Sequence, residues 1–173
     1  SLPEDADSTS RLSIQFDASN LVSGRYPYQA TVFSNYLNWS IGGIASGNVI
    51  VLNRSNSPFG TGWAVTGLQQ LHPQADGTLL LTSGDGTALF FSGGPDTFAS
   101  PPRDFSTLIK NPDGTYTRTF KDGTRTNFSA QGHQTSVVDR NGNITSYSYD
   151  TSSRLISVAD PAGLVTTLIY AGA

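Results

Sequence analysis

The stretch of sequence that most strongly determines the fold is Asp139-Arg-Asn-Gly-Asn-Ile-Thr-Ser-Tyr-Ser-Tyr-Asp150. A turn at residues 140–143 separates two arms, and its Asn-Gly step supplies the positive φ that a tight reversal needs. The pattern recurs, because residues 128–150 align with residues 149–171 at an offset of 21. Repeats of about 20 residues indicate a stack of hairpins that pack on their neighbours. We therefore predict an antiparallel meander with strands at 133–139, 144–150, 155–160 and 164–170.

A second repeated element lies upstream of this meander. The triplet Asp-Gly-Thr begins at four positions, Asp76, Asp85, Asp113 and Asp122. The blocks 76–91 and 113–128 align at an offset of 37, and each has the order turn, arm, turn, arm. Since Asp-Gly is a strong tight-turn signal, each block predicts a β-hairpin.

Two parts of the predicted meander are apolar on both faces. In the first hairpin these are the runs Leu79–Leu81 and Ala88–Phe91, and the other part is the last arm, 164–170. A strand that is apolar on both faces is covered on both sides. We expect the N-terminal strands to cover the first hairpin, and a further strand, from the next repeat or from a second copy in a dimer, to cover the exposed edge at 164–170.

The N-terminal third has a different character. Residues 1–10 are polar and acidic without periodicity and predict a flexible leader. Residues 11–56 alternate apolar and polar positions, beginning with Leu12, Ile14 and Phe16, and Tyr26 resembles the tyrosine corner of Greek-key sandwiches. We predict an all-β fold with partial immunoglobulin-like β-sandwich strands at 11–56, a Gly/aromatic junction at 57–75, and a twisted antiparallel hairpin meander at 76–173.

The amino-acid composition is typical of short strands joined by tight turns, and it excludes several classes of function. The chain has 23 charged residues, a net charge of -3, 18 Gly and 41 Ser plus Thr. Its ten basic residues are scattered, so no electrostatic surface for nucleic acid is expected, and no apolar run is long enough to span a membrane. Absence of Cys removes disulfides and thiolate metal sites. Because the chain starts with Ser1 and has no Met, we expect it to be part of a longer protein.

The repeat resembles the YD repeat of Rhs proteins, including bacterial Rhs polymorphic toxins, insecticidal toxin complexes and the teneurins. The residues that carry the resemblance are the Tyr-Asp pair, the Arg-Leu step and the Asp-Pro-x-Gly turn: Tyr149, Asp150, Arg154, Leu155, Asp160, Pro161 and Gly163. The resemblance covers 53–173 and is to the N-terminal part of the repeat region. Only one Tyr-Asp pair is intact, because Ala171 follows Tyr170, and the terminal core segment with its self-cleaving aspartates is absent. Autoproteolysis and toxicity are therefore not carried over.

The resemblance implies a non-enzymatic structural module. It would be the start of an exported bacterial β-shell that encapsulates or displays a C-terminal effector, outside the cell or at its surface. Its partners would be the remainder of its own shell and the enclosed effector. We predict no catalytic residues, no cofactor and no metal site.

Candidate reactive residues are few. His72 and His133 are the only histidines, and no Ser-His-Asp order is suggested by their positions, so both are interpreted as surface structure. The loop Asp139–Asn143 is rich in Asp and Asn, but it lacks the later Glu of an EF-hand, so an Asx-stabilised turn is favoured over a weak calcium site.

A different class of function stays open. The aromatic residues Trp39, Tyr36, Tyr26 and Tyr28 could form a stacking platform for sugars, which would make the chain an extracellular module that binds a polysaccharide or a cell surface. Trp63, in the junction, is instead predicted to be a plug packed beneath the first hairpin.

Overall fold

The computed structural model describes residues 13–35, 38, 40–94 and 96–171. The described residues form thirteen β-strands and no helix, which confirms the all-β prediction. Nothing in this part of the chain is a helix that could cross a membrane. The strands are β1 (Gly24–Asn35), β2 (Ser40–Val51), β3 (Gln69–Pro73), β4 (Leu79–Ser83), β5 (Ala88–Gly93), β6 (Thr97–Ala99), β7 (Thr107–Lys110), β8 (Tyr116–Thr119), β9 (Arg125–Phe128), β10 (Gln134–Val138), β11 (Ile144–Tyr149), β12 (Leu155–Ala159) and β13 (Val165–Thr167).

β3 to β13 form one antiparallel sheet of eleven strands in which every strand pairs with its neighbours in the sequence. This order confirms the predicted hairpin meander. The sheet begins at β3, so the predicted junction at 57–75 contains its first strand. The last strand is shorter than predicted, since regular pairing ends at Thr167, although the Leu168 amide still donates to the Ile156 carbonyl at 2.9 Å.

β1 and β2 form a separate two-stranded sheet, paired in register from Gly24 opposite Val51 to Asn35 opposite Ser40. Both strands are largely exposed, and among the described residues no second sheet packs on this ribbon as a sandwich would. The strand predicted at 12–16 is not formed in its described part, 13–16. The alternation at 11–56 therefore produces a hairpin rather than a layered sandwich. Alternation indicates a strand, but it does not specify what covers the apolar face.

The eleven-stranded sheet coils until β3 meets the start of β10. The Leu71 amide donates to the Gly132 carbonyl at 2.9 Å, and Gln70 forms a β-bridge with His133. The Gln134 side chain adds a third contact, because its Oε1 accepts a 2.8 Å hydrogen bond from the Gln69 amide. We call this contact between β3 and residues 132–134 the seam.

The hydrophobic core lies inside the coil. Its members come from β3 to β9 and are nearly inaccessible to solvent: Leu71, Leu79, Leu81, Phe91, Phe98, Leu108, Tyr116 and Phe128. Burial of apolar side chains stabilises by roughly 1.5–3 kcal/mol for each large residue. The interior of the coil is therefore filled with side chains, and the seam closes around it.

In the first hairpin β4 is buried on both faces, as predicted, whereas β5 is only partly buried at Phe90 on its outer face. Leu79 and Leu81 lie in the core, while Leu80, on the opposite face, is 0% exposed. Part of the outer cover comes from the N-terminal ribbon, where the Arg25 guanidinium lies 4.4 Å from the centre of the Phe90 ring.

Candidate functional site

The repeat tyrosines make the same long-range contact in successive units. The Tyr149 hydroxyl donates to the Gln134 carbonyl at 3.0 Å, and the Tyr170 hydroxyl donates to the Leu155 carbonyl at 2.7 Å. Donor and acceptor are 15 residues apart in both cases. Since both donor and acceptor shift by 21 residues, the offset in the sequence is also the structural repeat. Burial raises the pKa of Tyr149 to about 12, so its hydroxyl stays protonated and can donate.

The aspartate of the Tyr-Asp pair closes the turn that follows it. Asp150 Oδ1 accepts from the amides of Ser152 and Arg154 at 2.9 and 2.8 Å, and Asp150 Oδ2 receives the Arg154 Nε at 2.8 Å. These donors, the Arg154 amide first, lower the pKa of Asp150. The Arg154 guanidinium also lies 4.9 Å from the Tyr170 ring centre and so links one unit to the next.

The same turn chemistry holds at the preceding and following turns. Asp160 Oδ1 accepts from the Ala162 and Leu164 amides at 2.9 and 2.8 Å. Pro161 follows Asp160 directly, and Gly163, at φ +85°, lies between the two donors. Asp139 Oδ1 accepts from the Asn141 and Asn143 amides at 2.8 and 2.9 Å, and its Oδ2 accepts from the Asn143 side chain at 2.7 Å. Both Asp139 oxygens are thus engaged inside an Asx-type turn, and the described residues contain no group of three or more potential metal ligands.

Leu155 completes the signature on the inner side. It is 2% exposed, at the position that Gln134 occupies one repeat earlier. Gln134 is 0% exposed, and its Nε2 has no hydrogen-bond partner among the described residues. The repeat position that holds the apolar Leu155 therefore holds the polar Gln134 at the seam. There the Gln134 Oε1 accepts the hydrogen bond from the Gln69 amide of β3.

The outer face of the upstream hairpins carries a ladder of polar side chains. Thr117 on β8 donates to Asn127 on β9 at 3.1 Å, and Asn127 donates to Ser136 on β10 at 2.9 Å. Because cross-strand polar pairs stabilise a sheet face that has no apolar cover, this ladder accounts for the Thr-rich arms.

A buried ion pair inside the coil is not foreseen by sequence reasoning. The Arg118 Nη2 lies 2.8 Å from Asp104 Oδ2, and the two side chains are 6% and 8% exposed. The Arg118 Nε donates to the Ser106 hydroxyl at 2.8 Å, and its guanidinium lies 4.4 Å from the Phe120 ring centre. Burial lowers the pKa of Arg118, while the charge of Asp104 opposes that shift. The only signal in the sequence is one Arg between the core-facing Tyr116 and Phe120.

A groove of about 560 Å³ lies between the loop at 52–65 and the seam. His72 and His133, which are 61 positions apart in the sequence, both line it, as do Tyr149 and Arg54. The His133 ring lies 5.0 Å from the Tyr149 ring, and His72 Nε2 is 2.9 Å from the Thr82 hydroxyl. The histidines are therefore partly buried groove residues, whereas the sequence suggested separate surface positions. That juxtaposition depends on the seam and has no local signal.

Of the four aromatic residues predicted to form a sugar-stacking platform, two lie in the part of the chain that the structure describes. Trp39 and Tyr36 lie outside the described residues. Tyr26 and Tyr28 lie on one face of β1; the Tyr26 hydroxyl donates to the Val22 carbonyl at 2.9 Å, and Tyr28 is 49% exposed. The prediction for Trp63 is wrong, because its side chain is 72% exposed at the groove margin instead of plugged beneath the first hairpin. The positive-φ Gly60 and Gly62 around it form an open turn that points the indole outward.

Comparison with known proteins supports the repeat geometry. Residues 128–166 match the family model described as RHS Repeat. This segment runs from the end of β9 into β13. It contains the seam residues 132–134, Tyr149, Asp150 and the turn at Asp160. A search of curated proteins found no match to the chain. The Rhs repeat is a structural repeat family and not an enzyme family, and proteins that carry it are typically secreted or at the cell surface. The match supports an Rhs/YD-repeat protein.

Proposed function

We propose that the chain is a non-enzymatic structural module at the start of an exported bacterial Rhs/YD-repeat shell, which encapsulates or displays a C-terminal effector. The observation that carries this proposal is the pair of equivalent hydrogen bonds from Tyr149 and Tyr170. A contact that recurs with each unit lets a sheet grow by adding hairpins, without a new core for each one.

The free edge of the sheet also supports the proposal. Within the described part of the chain β13 pairs with β12 alone, and Leu164, Val165 and Ile169 in and around this strand are 72%, 62% and 91% exposed. An uncharged apolar edge of this kind is a template for another strand. In the proposed shell the next hairpin supplies that strand.

The hydrogen bonds of the turns and of the polar ladder are consistent with a wall whose role is structural and not catalytic. The turn aspartates are occupied by backbone amides, and the Thr117–Asn127–Ser136 ladder satisfies polar groups across strands. These groups have structural partners, so their role in the proposal is to hold a wall that contains or displays a cargo.

Protease protection of the proposed effector in the native protein tests encapsulation. We expect the C-terminal part to resist a protease that cleaves the same part when it is produced alone. The sensitive comparison is a protein in which Val165 and Thr167 are both changed to Pro. Proline cannot donate to a sheet ladder, so the wall would open at this edge and the C-terminal part would become cleavable. A native C-terminal part that is as sensitive as the isolated one would contradict encapsulation.

A glycan-binding function is a second proposal, favoured by the half-exposed Tyr28 on the same face as Tyr26. The test is retention of the chain on insoluble polysaccharides. We expect Tyr28→Ala to lose retention and Phe33→Ala, an exposed aromatic on the opposite face of β1, to keep it. Equal retention of the two variants, or none by the unchanged chain, would exclude this function.

A further inference from the structure

The two histidines of the chain flank the hydrogen bond that closes the coil. His72 follows Leu71, whose amide is the donor, and His133 follows Gly132, whose carbonyl is the acceptor. His133 is also bonded into the seam through its bridge to Gln70. Any charge on either imidazole therefore arises within one residue of the closing contact.

We propose that the seam is an acid-sensitive latch, in which protonation of His72 and His133 opens the contact between β3 and β10. Opening would release β3 from the turn at 129–132 and uncover the core edge at Leu71. This inference concerns the closure of the coil and is independent of whether a cargo is enclosed.

The groove that holds the two rings contains, among its described lining residues, no negative charge that could compensate for protonation. Among the described residues, the charged or titratable side chains that line the groove are His72, His133, Tyr149 and Arg54, and none of them is a carboxylate. The fixed charge is thus the cation of Arg54, which already donates to the Ser83 carbonyl at 2.8 Å. Two imidazolium ions beside it would repel one another in a partly desolvated place.

Two neighbouring side chains could contact a protonated imidazole, but neither carries a negative charge that would offset this repulsion. The Tyr149 ring next to His133 would attract an imidazolium through a cation–π contact. The Thr82 hydroxyl next to His72 can donate to or accept from the neutral ring, depending on the tautomer, and can accept from the protonated ring. Both contacts orient the imidazoles in the groove but supply no negative charge.

The direction of the histidine pKa values agrees with this geometry. Burial lowers the pKa of His133, and burial followed by the charge of His133 lowers the pKa of His72. In the open state both rings would return towards the ordinary value of 6.5 and bind protons more readily than in the closed state. Since protons favour the state that binds them, the closed seam is intact at neutral pH and loses stability as the pH falls below 6.5.

The chain offers an unusually clean test, because it has two histidines and no cysteine. Between pH 5 and 7 these are the side chains with ordinary pKa values in range. The measurement is amide hydrogen exchange of the full 173-residue chain at pH 7.0 and 5.0, corrected for the intrinsic exchange rate. The reporter is the Leu71 amide, and the reference is the β7–β8 hairpin.

We expect Leu71 protection to fall severalfold at pH 5.0, because the open state, in which both imidazoles are solvated, binds protons more readily than the closed state. The β7–β8 reference should stay protected, and the double variant His72→Gln/His133→Gln should be insensitive to pH. Equal protection of Leu71 at both pH values, an equal loss in the reference hairpin, or persistence of the drop in the double variant would overturn the latch. If the double variant does not fold, NMR titration of the unchanged chain decides: two imidazoles with pKa values below 6.5 support the latch, and two ordinary values refute it.

Discussion

The phenolic oxygen of Tyr149 lies 3.0 Å from the carbonyl oxygen of Gln134, which belongs to the strand next to its own. The same contact joins Tyr170 to Leu155 one repeat later, at 2.7 Å. The tyrosine of the Tyr-Asp pair therefore links adjacent strands through its hydroxyl, and the aspartate that follows it accepts hydrogen bonds from the backbone of the next turn. Both parts of the signature have structural partners within the repeat.

Removing the Tyr149 hydroxyl should weaken the fold. We expect Tyr149→Phe to lower the free energy of unfolding by about 0.5–1.5 kcal/mol, because the Gln134 carbonyl loses its donor while the ring stays. Urea denaturation measures the change. Tyr147→Phe is the matched control on the same strand, since its hydroxyl makes no hydrogen bond among the described residues. Equal losses for the two variants would contradict a specific role for the Tyr149 contact.

Gly132 should tolerate substitution much less than Gly142. Both have φ near +85°, so a change to Ala costs about 1–2 kcal/mol at either position through backbone strain alone. A Cβ at Gly132 would additionally overlap the Leu71 carbonyl across the seam, whereas a Cβ at Gly142 meets nothing within 4 Å. Thermal denaturation should therefore show a clearly larger loss for Gly132→Ala. Matching transitions for the two variants would mean that the seam is not closely packed.

The buried pair of Arg118 and Asp104 should show strong coupling. Arg118→Met leaves an unpaired carboxylate in the interior, and we expect a loss of about 3–5 kcal/mol. Combining it with Asp104→Asn removes that charge and keeps an oxygen for the Ser106 amide, which donates to Asp104 at 2.9 Å. The double variant should recover much of the loss, as a double-mutant cycle measures. Simple additivity of the two single changes would contradict a direct interaction.

Ser153 should be a site where glycine stabilises the chain. It has φ +61° at the position that Gly132 occupies one repeat earlier. Glycine would relieve strain of about 1–2 kcal/mol but add about 1 kcal/mol of unfolded-state entropy, so we expect a net gain of up to about 1 kcal/mol from Ser153→Gly. Ser152→Gly, where φ is not positive, should be destabilising. A melting temperature that falls for Ser153→Gly would count against the strain.

Stability should decline in strong acid because of the turn aspartates. Their pKa values are all lowered by hydrogen bonds within the turns: Asp76, Asp85, Asp113, Asp122, Asp139 and Asp150. The unfolded carboxylates bind protons near the ordinary value of 3.8 and the folded ones only at lower pH, so the free energy of unfolding should fall as the pH drops through 3.8. Urea titrations at pH 5, 4 and 3 on the His72→Gln/His133→Gln variant isolate this effect. A constant midpoint would contradict it.

Local chemistry made much of the fold predictable from sequence. Each Asp-Gly-Thr triplet forms the expected turn, with the Asp carboxylate accepting from the Thr amide, as from Thr78 at 3.1 Å and Thr87 at 2.8 Å. The offset of 21 likewise reappears in the Tyr149 and Tyr170 contacts. Turns and repeats depend on residues a few positions apart, so their physics is visible in a short window.

Features that depend on distant residues could not be predicted in this way. Gln69 and Gln134 are 65 residues apart, and their contact arises only because many small twists between strands add up to a coil. The groove that holds His72 and His133 is a consequence of that closure. Similarly, the N-terminal alternation indicated strands correctly at β1 and β2, but it contained no information about the absence of a covering sheet on the described ribbon.

Whether this meander begins a longer shell is tested most directly by a cryo-electron microscopy map of the native protein. We expect the edge of β13 to pair with a further strand of the same protein, tyrosine-to-carbonyl hydrogen bonds to continue through the following hairpins, and the wall to surround an enclosed segment. A map in which the edge at 165–167 faces solvent and no further hairpins follow would contradict it.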